Sequence, residues 1–172
     1  MITRSNYIQS KILDHHDAAK RISLWKMKGN KVVFTNGCFD ILHKGHVSYL
    51  AEAAELGNKM VVALNTDASV KLQGKGDDRP INDNDARASV LASLGFVDMV
   101  VFFDSETPID VIDILKPDVL VKGADYDPEE TEMTSKTYIV GSEIVRNNGG
   151  EIKAIPLVEG FSTTSVIEKL KA

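Results

Sequence analysis

The chain has 172 residues, 43% hydrophobic and 26% charged, with a net charge of −5. That suits one compact domain able to bury about two-thirds of its unfolded surface, while the acidic balance without a basic run argues against a nucleic-acid surface, and no stretch approaches the ~20 apolar residues of a membrane span. A single cysteine, Cys38, excludes an intrachain disulfide and, with no apolar leader among the first thirty residues, points to a reducing, cytoplasmic setting.

Residues 1–30 read as an amphipathic helical extension preceding a domain over 31–172. Its apolar positions Ile8, Ile12, Leu13, Ile22 and Trp25 would pack on the chain's own sheet or across a second copy. Val32–Thr35 is the first β-branched run. A helix follows, with Val47, Leu50, Ala51 and Ala54 at i, i+3, i+4 and i+7 and Gly57 as its stop. The second run, Met60–Asn65, leads into a long polar loop, Lys71–Asn84, and then a helix from about Asp85 to Leu94. After Met99–Phe103, Thr107 is expected as N-cap with Pro108 at the first helical position, ahead of Val111, Ile112 and Leu115. Val119–Val121 precedes a second polar loop, Lys122–Lys136. A helix is expected between Thr137 and Arg146, ending at the Asn147-Asn148-Gly149-Gly150 turn, followed by the run Ile152–Pro156. The last helix opens at Ser162-Thr163-Thr164 and carries Val166, Ile167 and Leu170. This βαβα alternation predicts a five-stranded parallel sheet covered by helices on both faces. Long ordered loops in such a domain are often functional.

Chemistry concentrates in residues 35–46, Thr-Asn-Gly-Cys-Phe-Asp-Ile-Leu-His-Lys-Gly-His, which join the first strand to the first helix. Open parallel sheets bind ligands beyond the carboxyl ends of their strands, and a helix N-terminus there offers free N–H groups and a positive dipole end to phosphate. His43 and His46, three apart, share one helix face. Gly45 leaves room for a nucleotide between them. Two imidazoles so placed can donate to a pentavalent phosphorus centre, and such transfer needs positioning and charge stabilisation rather than covalent help. A cap or polar surface residue is the plainer account of either histidine. A zinc half-site would want further ligands, and the other histidines are the adjacent His15 and His16.

The string Gly37-Cys38-Phe39-Asp40 followed by His43-Lys44-Gly45-His46 resembles the HxGH signature of the cytidylyltransferase-like nucleotidyltransferase superfamily. Gly160-Phe161-Ser162-Thr163-Thr164-Ser165-Val166-Ile167 resembles its second signature, an [IF]-S-[ST]-T-x-x-I helix start. Asn65-Thr66-Asp67, Arg79-Pro80-Ile81-Asn82, Arg87-Ala88 and Lys116 to Tyr126 extend the likeness, over about residues 30 to 170, to the heptose-phosphate adenylyltransferases. Many relatives read Gly-Gly-Asp-Tyr where this chain has Gly123-Ala124-Asp125-Tyr126. The resemblance implies a Rossmann-like three-layer α/β sandwich. It also implies a stand-alone form without a sugar kinase, transferring AMP from ATP to D-glycero-D-manno-heptose 1-phosphate. ADP-heptose and pyrophosphate would result, for lipopolysaccharide core or another surface glycan. Mg²⁺ would come with the triphosphate, and relatives are often homodimers.

The same resemblance implies the residue roles. His43 and His46 would stabilise the transition state, with Lys71 as a catalytic cation. Gly37, Cys38, Phe39, Lys44, Gly45, Arg79, Lys122 and Gly123 would meet the nucleotide, with Lys71 and Arg79 closing over its phosphates from the long loop. Ser162, Thr163 and Thr164 would reach the same phosphates from the last helix. Asp67, Asp125 and Tyr126 would face the substrate. For Asp40 two roles stand level: holding a cation or the incoming phosphate, and capping a turn. A cytidylyltransferase acting on glycerol 3-phosphate, an FMN adenylyltransferase and a non-catalytic nucleotide-binding module remain alternatives. A dinucleotide oxidoreductase is rejected, because the first turn lacks G-x-G-x-x-G.

Overall fold

In a computed structural model of the protein, residues 3–74 and 78–171 are described. The elements in chain order are α1 (Arg4–Gln9), β1 (Ile12–Leu13), α2 (His15–Met27), β2 (Val32–Gly37), α3 (Lys44–Ala54), β3 (Lys59–Asn65) and α4 (Asp67–Leu72). They continue with α5 (Asn84–Ser93), β4 (Met99–Phe103), α6 (Ile109–Leu115), β5 (Val119–Gly123), α7 (Ser142–Asn147), β6 (Glu151–Ile155) and α8 (Thr163–Lys171).

Among the described residues six strands, all parallel, lie in the order β1-β4-β3-β2-β5-β6. The sheet is one strand wider than the alternation predicts. The addition is β1, where Ile12 and Leu13 pair with Val100 and Val101. Two apolar residues are too short a run to read as a strand. The N-terminal segment is accordingly two helices around a strand rather than one helix before the sheet. Asp14 forces the break, because its carboxylate accepts from Asp17 N–H at 2.8 Å and starts α2 afresh. Lys11 anchors the segment. Its buried ammonium donates to the Val97 carbonyl at 2.7 Å.

Side-chain alternation along the strands divides the core between two faces. Val33, Val62 and Val121 pack with Leu50 of α3 and Leu91 of α5. Val32, Phe34, Val61 and Leu120 pack on the other face with Ile22 of α2, Ile112 of α6 and Val145 of α7. Because helices cover both faces, β2, β3 and β5 are buried along most of their length.

Three boundaries differ from expectation. Helix α6 starts at Ile109 with Pro108 as its cap, one residue late, since the Thr107 carbonyl accepts from the Ser105 hydroxyl at 2.8 Å. Helix α7 starts at Ser142 rather than near Thr137. Gly141 sits at φ 85°, and a Cβ there would lie 2.5 Å from Ile112, so the preceding residues turn instead. Lys71 lies on α4, not in a loop, because the Thr66 hydroxyl accepts from Ser69 N–H and opens a helix there. Among the described residues no helix is long and apolar enough to cross a membrane.

The chain runs from β2 through β3 to β4 on one side, then returns across the sheet to β5 and β6 on the other. The carboxyl end of β2 is therefore the point where the winding reverses, and a crevice opens there.

Candidate active site

Asn36 and Gly37 close β2, Asn65 closes β3, and Lys122 and Gly123 close β5. With the start of α3 and the segment entering α8 they line a cavity of about 400 Å³, a size suited to a small ligand.

Phe39 leaves β2 at φ 43°, a conformation rare for a bulky residue. The next residue holds the turn. The Asp40 carboxylate accepts from Arg79 Nε at 2.6 Å and from the N–H groups of Ile81 and Asn82, both at 2.9 Å. Asn82 Nδ2 donates back to the Asp40 carbonyl at 2.8 Å. Burial pushes the Asp40 carboxyl up, but the bonds from Asn82, Ile81 and Arg79 outweigh it and hold the group below the usual carboxylate range. Both partners face each other: the carboxylate has no exposed surface, and the guanidinium is turned inward to it. These are the contacts of a buried cap, and neither residue lines the cavity.

His43 caps α3. Its Nδ1 accepts a long bond, 3.4 Å, from His46 N–H, so the neutral ring carries its proton on Nε2. The two imidazoles stack with centroids 3.8 Å apart, and the Phe39 ring meets His46 edge-on at 5.2 Å. Burial pushes both imidazoles down. His46 falls to about 4, through burial first and then the charge His43 would carry, against a raising bond to Ile41. Both rings are thus neutral near pH 7. His43 Nε2, His46 Nδ1 and the Asn36 Oδ1 are buried without a hydrogen-bond partner among the described residues. Buried polar atoms left unpaired are rare in native proteins, and three around one crevice make it the candidate site for a polar ligand.

Gly45, which lines the cavity, is also crowded by the protein itself. A Cβ there would stand 3.0 Å from Phe161 Cβ and 3.1 Å from the His43 ring. Gly123 is similar, since a Cβ would come within 2.6 Å of Asp125 Oδ1. Lys122 reaches over the Tyr126 ring at 5.4 Å. At the far wall, the Ser162 hydroxyl accepts from Ser165 N–H at 3.0 Å while Ser162 N–H donates to the Ser165 hydroxyl at 3.2 Å, a reciprocal cap that opens α8.

The cavity thus gathers Gly37, Cys38, Phe39, His43, Gly45 and His46 from the first signature. Lys122, Gly123, Asp125 and Tyr126 join from beyond β5, and Ser162 and Thr163 from α8. Lys44, Asp67, Lys71 and Thr164 stand outside its lining, as do Asp40 and Arg79. Lys44 is exposed, with its ammonium 5.6 Å over the Phe161 ring. Lys71 and Thr164 are also exposed, and Asp67 pairs with Arg87 at 2.7 Å.

Several lining residues carry no role in the sequence reading: Asn36, Tyr49, Asn65, Gln73, Leu157, Val158 and Phe161. The signal for two of them is an asparagine at the carboxyl end of an apolar run, in Asn36 and Asn65. Tyr49 had none. Its hydroxyl donates to Thr35 Oγ1 at 2.7 Å, because the Thr35 proton goes to the Val121 carbonyl at 3.0 Å. Burial, with Asp125 adding to it, pushes the phenol up against the opposing Thr35 bond.

Comparison with known proteins agrees with this geometry. The "Bifunctional protein HldE" of Marinomonas sp. (strain MWYL1) is 48% identical over 169 residues, covering 98% of this chain and 34% of that protein. The protein of the same name from Campylobacter concisus (strain 13826) is 58% identical over 141 residues, covering 82% of this chain and 27% of its own. This chain therefore spans about a third of the length of such relatives. The crystal structure of the lipopolysaccharide core biosynthesis protein from Thermoplasma volcanium GSS1 superposes with a TM-score of 0.57 at 28% identity, covering 76% of this chain and 98% of that one. A cytidylyltransferase-like family model matches residues 34–169, from inside β2 to α8 and so across every wall of the cavity, and the chain belongs to the cytidylyltransferase-like family.

Proposed function

We propose that this chain is a nucleotidyltransferase that transfers AMP from MgATP to D-glycero-D-manno-heptose 1-phosphate, releasing pyrophosphate and giving ADP-heptose. The observation that carries this reading is the pair of stacked, neutral, half-buried imidazoles, each with one buried ring nitrogen that lacks a partner, at the switch point of a parallel sheet. A neutral N–H donor at His43 Nε2 suits a triphosphate whose charge grows on the oxygens of the α-phosphorus and the leaving group. In this reading the sugar phosphate oxygen attacks the α-phosphorus in line and pyrophosphate departs from the opposite side. No covalent intermediate is needed, since the nucleophile is already an anion.

His43 Nε2 donates to the reacting phosphate, and His46, held against it by stacking, supplies the second contact. The start of α8 brings Ser162 and Thr163 to the phosphates, with the Thr163 N–H at the helix N-terminus. Lys122, Asp125 and Tyr126 contact the base or the sugar. Lys71 lies one turn from Asp67 on α4 and reaches the outer phosphates as a flexible cation. Among the described residues, the cluster of three side chains able to share a metal is the exposed Asp14, His16 and Asp17, none of which lines the cavity. Mg²⁺ thus fits as part of the substrate, held by phosphate oxygens and water. The printed title of the similar Thermoplasma volcanium structure, a lipopolysaccharide core biosynthesis protein, supports a surface-glycan setting, and the ATP requirement supports a cytoplasmic location.

The test is pyrophosphate release with ATP or CTP, each paired with heptose 1-phosphate or glycerol 3-phosphate. Turnover with ATP and the heptose alone is the expected result. Turnover with CTP and glycerol 3-phosphate would discard the sugar and the base while keeping the histidines. No turnover with any pair, in a protein that binds nucleotide, would reject catalysis.

A further inference from the structure

Among the described residues, the most deeply buried cation lies behind the cavity wall rather than in it. Arg87, on α5, has a side chain with no exposed surface. Its guanidinium serves three separate segments. Nη1 donates to the Cys38 carbonyl at 2.7 Å, Nε to the Asn82 carbonyl at 3.0 Å and Nη2 to Asp67 Oδ1 at 2.7 Å. A buried arginine is costly unless every donor is matched, and here the matches fall on the turn after β2, the entry to α5 and the first turn of α4.

Two consequences follow from covalent geometry. In a planar trans peptide the N–H points opposite to the preceding carbonyl. Fixing the Cys38 carbonyl on Arg87 therefore turns Phe39 N–H away from α5, and among the described residues no acceptor meets it. Phe39 lines the cavity, with its backbone at a φ of 43°. In addition, Asp67 and Lys71 are four apart on α4 and share a face. Holding Asp67 thus sets the face of α4 that bears Lys71.

We propose that Arg87 and Asp67 form a positioning clamp for the triphosphate. Arg87 aims the Phe39 N–H at a phosphate oxygen and fixes the helix carrying Lys71, and Asp67 acts through Arg87 rather than on the sugar. The clamp rests on the nucleotidyltransferase reading for its ligand. Lysine at 87 keeps the charge but cannot serve three fixed acceptors at once.

The test compares R87K, D67N and the double variant with wild type, by calorimetric titration of MgATP and by steady-state kinetics. Thermal melts count the folded fraction. In each single variant the Kd and KM for MgATP rise about tenfold or more, as expected when reacting groups are misplaced by a fraction of an ångström. The KM for the sugar phosphate changes less than about twofold, and the double variant loses no more than the worse single one, because the two residues act as a unit. Variants that only melt earlier, with wild-type Kd and KM for MgATP, would reduce the clamp to a structural brace. If R87K does not fold, D67N decides, since its side chain is about one-third exposed. Wild type that binds MgATP without turning over the heptose phosphate rejects the proposed substrate, and the Kd series still judges the clamp. Wild type that binds no MgATP overturns both.

Discussion

His43 has its outer nitrogen free and its inner one tied to the fold, and the His46 ring stacks against it, so a substitution at either removes this donor or its support without removing a wall of the core. Replacing either by alanine should lower kcat about 10²-fold or more, the loss typical of one oxyanion-type donor, with circular dichroism unchanged. A loss below about tenfold in a folded variant would remove them from the chemistry. Gly45→Ala tests packing around them. The added methyl would meet Phe161 and the His43 ring at 3.0 and 3.1 Å. Activity should fall with little loss of stability, because exposed Phe161 can give way while His43 shifts from its cap. An unchanged kcat/KM would show that the imidazole tolerates the displacement. The histidines were readable in the sequence because their spacing is itself the signal. Arg79 was readable only as a cation. That its Nε is committed to Asp40 depends on a contact spanning 39 residues, which no local pattern encodes.

At the scale of elements, caps explain most boundaries. Asp14, Thr66 and Asp83 each accept from the N–H three residues on, and those helices begin where the rule places them. Loop closures are less local. Gly57 joins α3 to β3, and a Cβ there would stand 2.6 Å from the Lys31 carbonyl. Gly57→Ala should cost about 1–3 kcal/mol by overpacking, seen as a lower urea midpoint with unchanged slope. A midpoint equal to wild type would mean the connection can relax. The sequence marks Gly57 as a helix stop, whereas the structure adds that the backbone of a neighbouring segment occupies its side-chain space. The cap at Asp40 works in the same way, with the partners brought from residues 79–82.

Across the whole molecule, burial of the imidazole pair sets an acid limit on stability. His46 has a folded value of about 4 against an ordinary 6.5, so between those pH values the unfolded chain binds more protons. Stability must therefore rise with pH across that window and be lost on acidification. The loss attributable to His46 is about 3 kcal/mol by pH 4, at 1.36 kcal/mol per unit. Asp40 acts in the same direction lower down, because its folded carboxyl lies below 3.8 and the stability it contributes is lost as pH falls through that region. Urea midpoints from pH 7 to 4 should drop steeply for wild type and less for His46→Asn. Parallel curves would show that His46 does not set the limit.

The sequence by itself determined the parallel α/β class, the helix and strand order from β2 onward apart from α4, and the histidine pair at a strand-to-helix turn. Each of these follows from short-range rules of periodicity, capping and spacing. Only the tertiary structure decided that β1 joins the sheet edge and that Lys71 and Asp67 share a helix held by Arg87. It also decided that Gly45 is crowded by Phe161 from the far end of the chain. Those contacts join residues up to 116 positions apart, and their energy exists only once the sheet has brought them together.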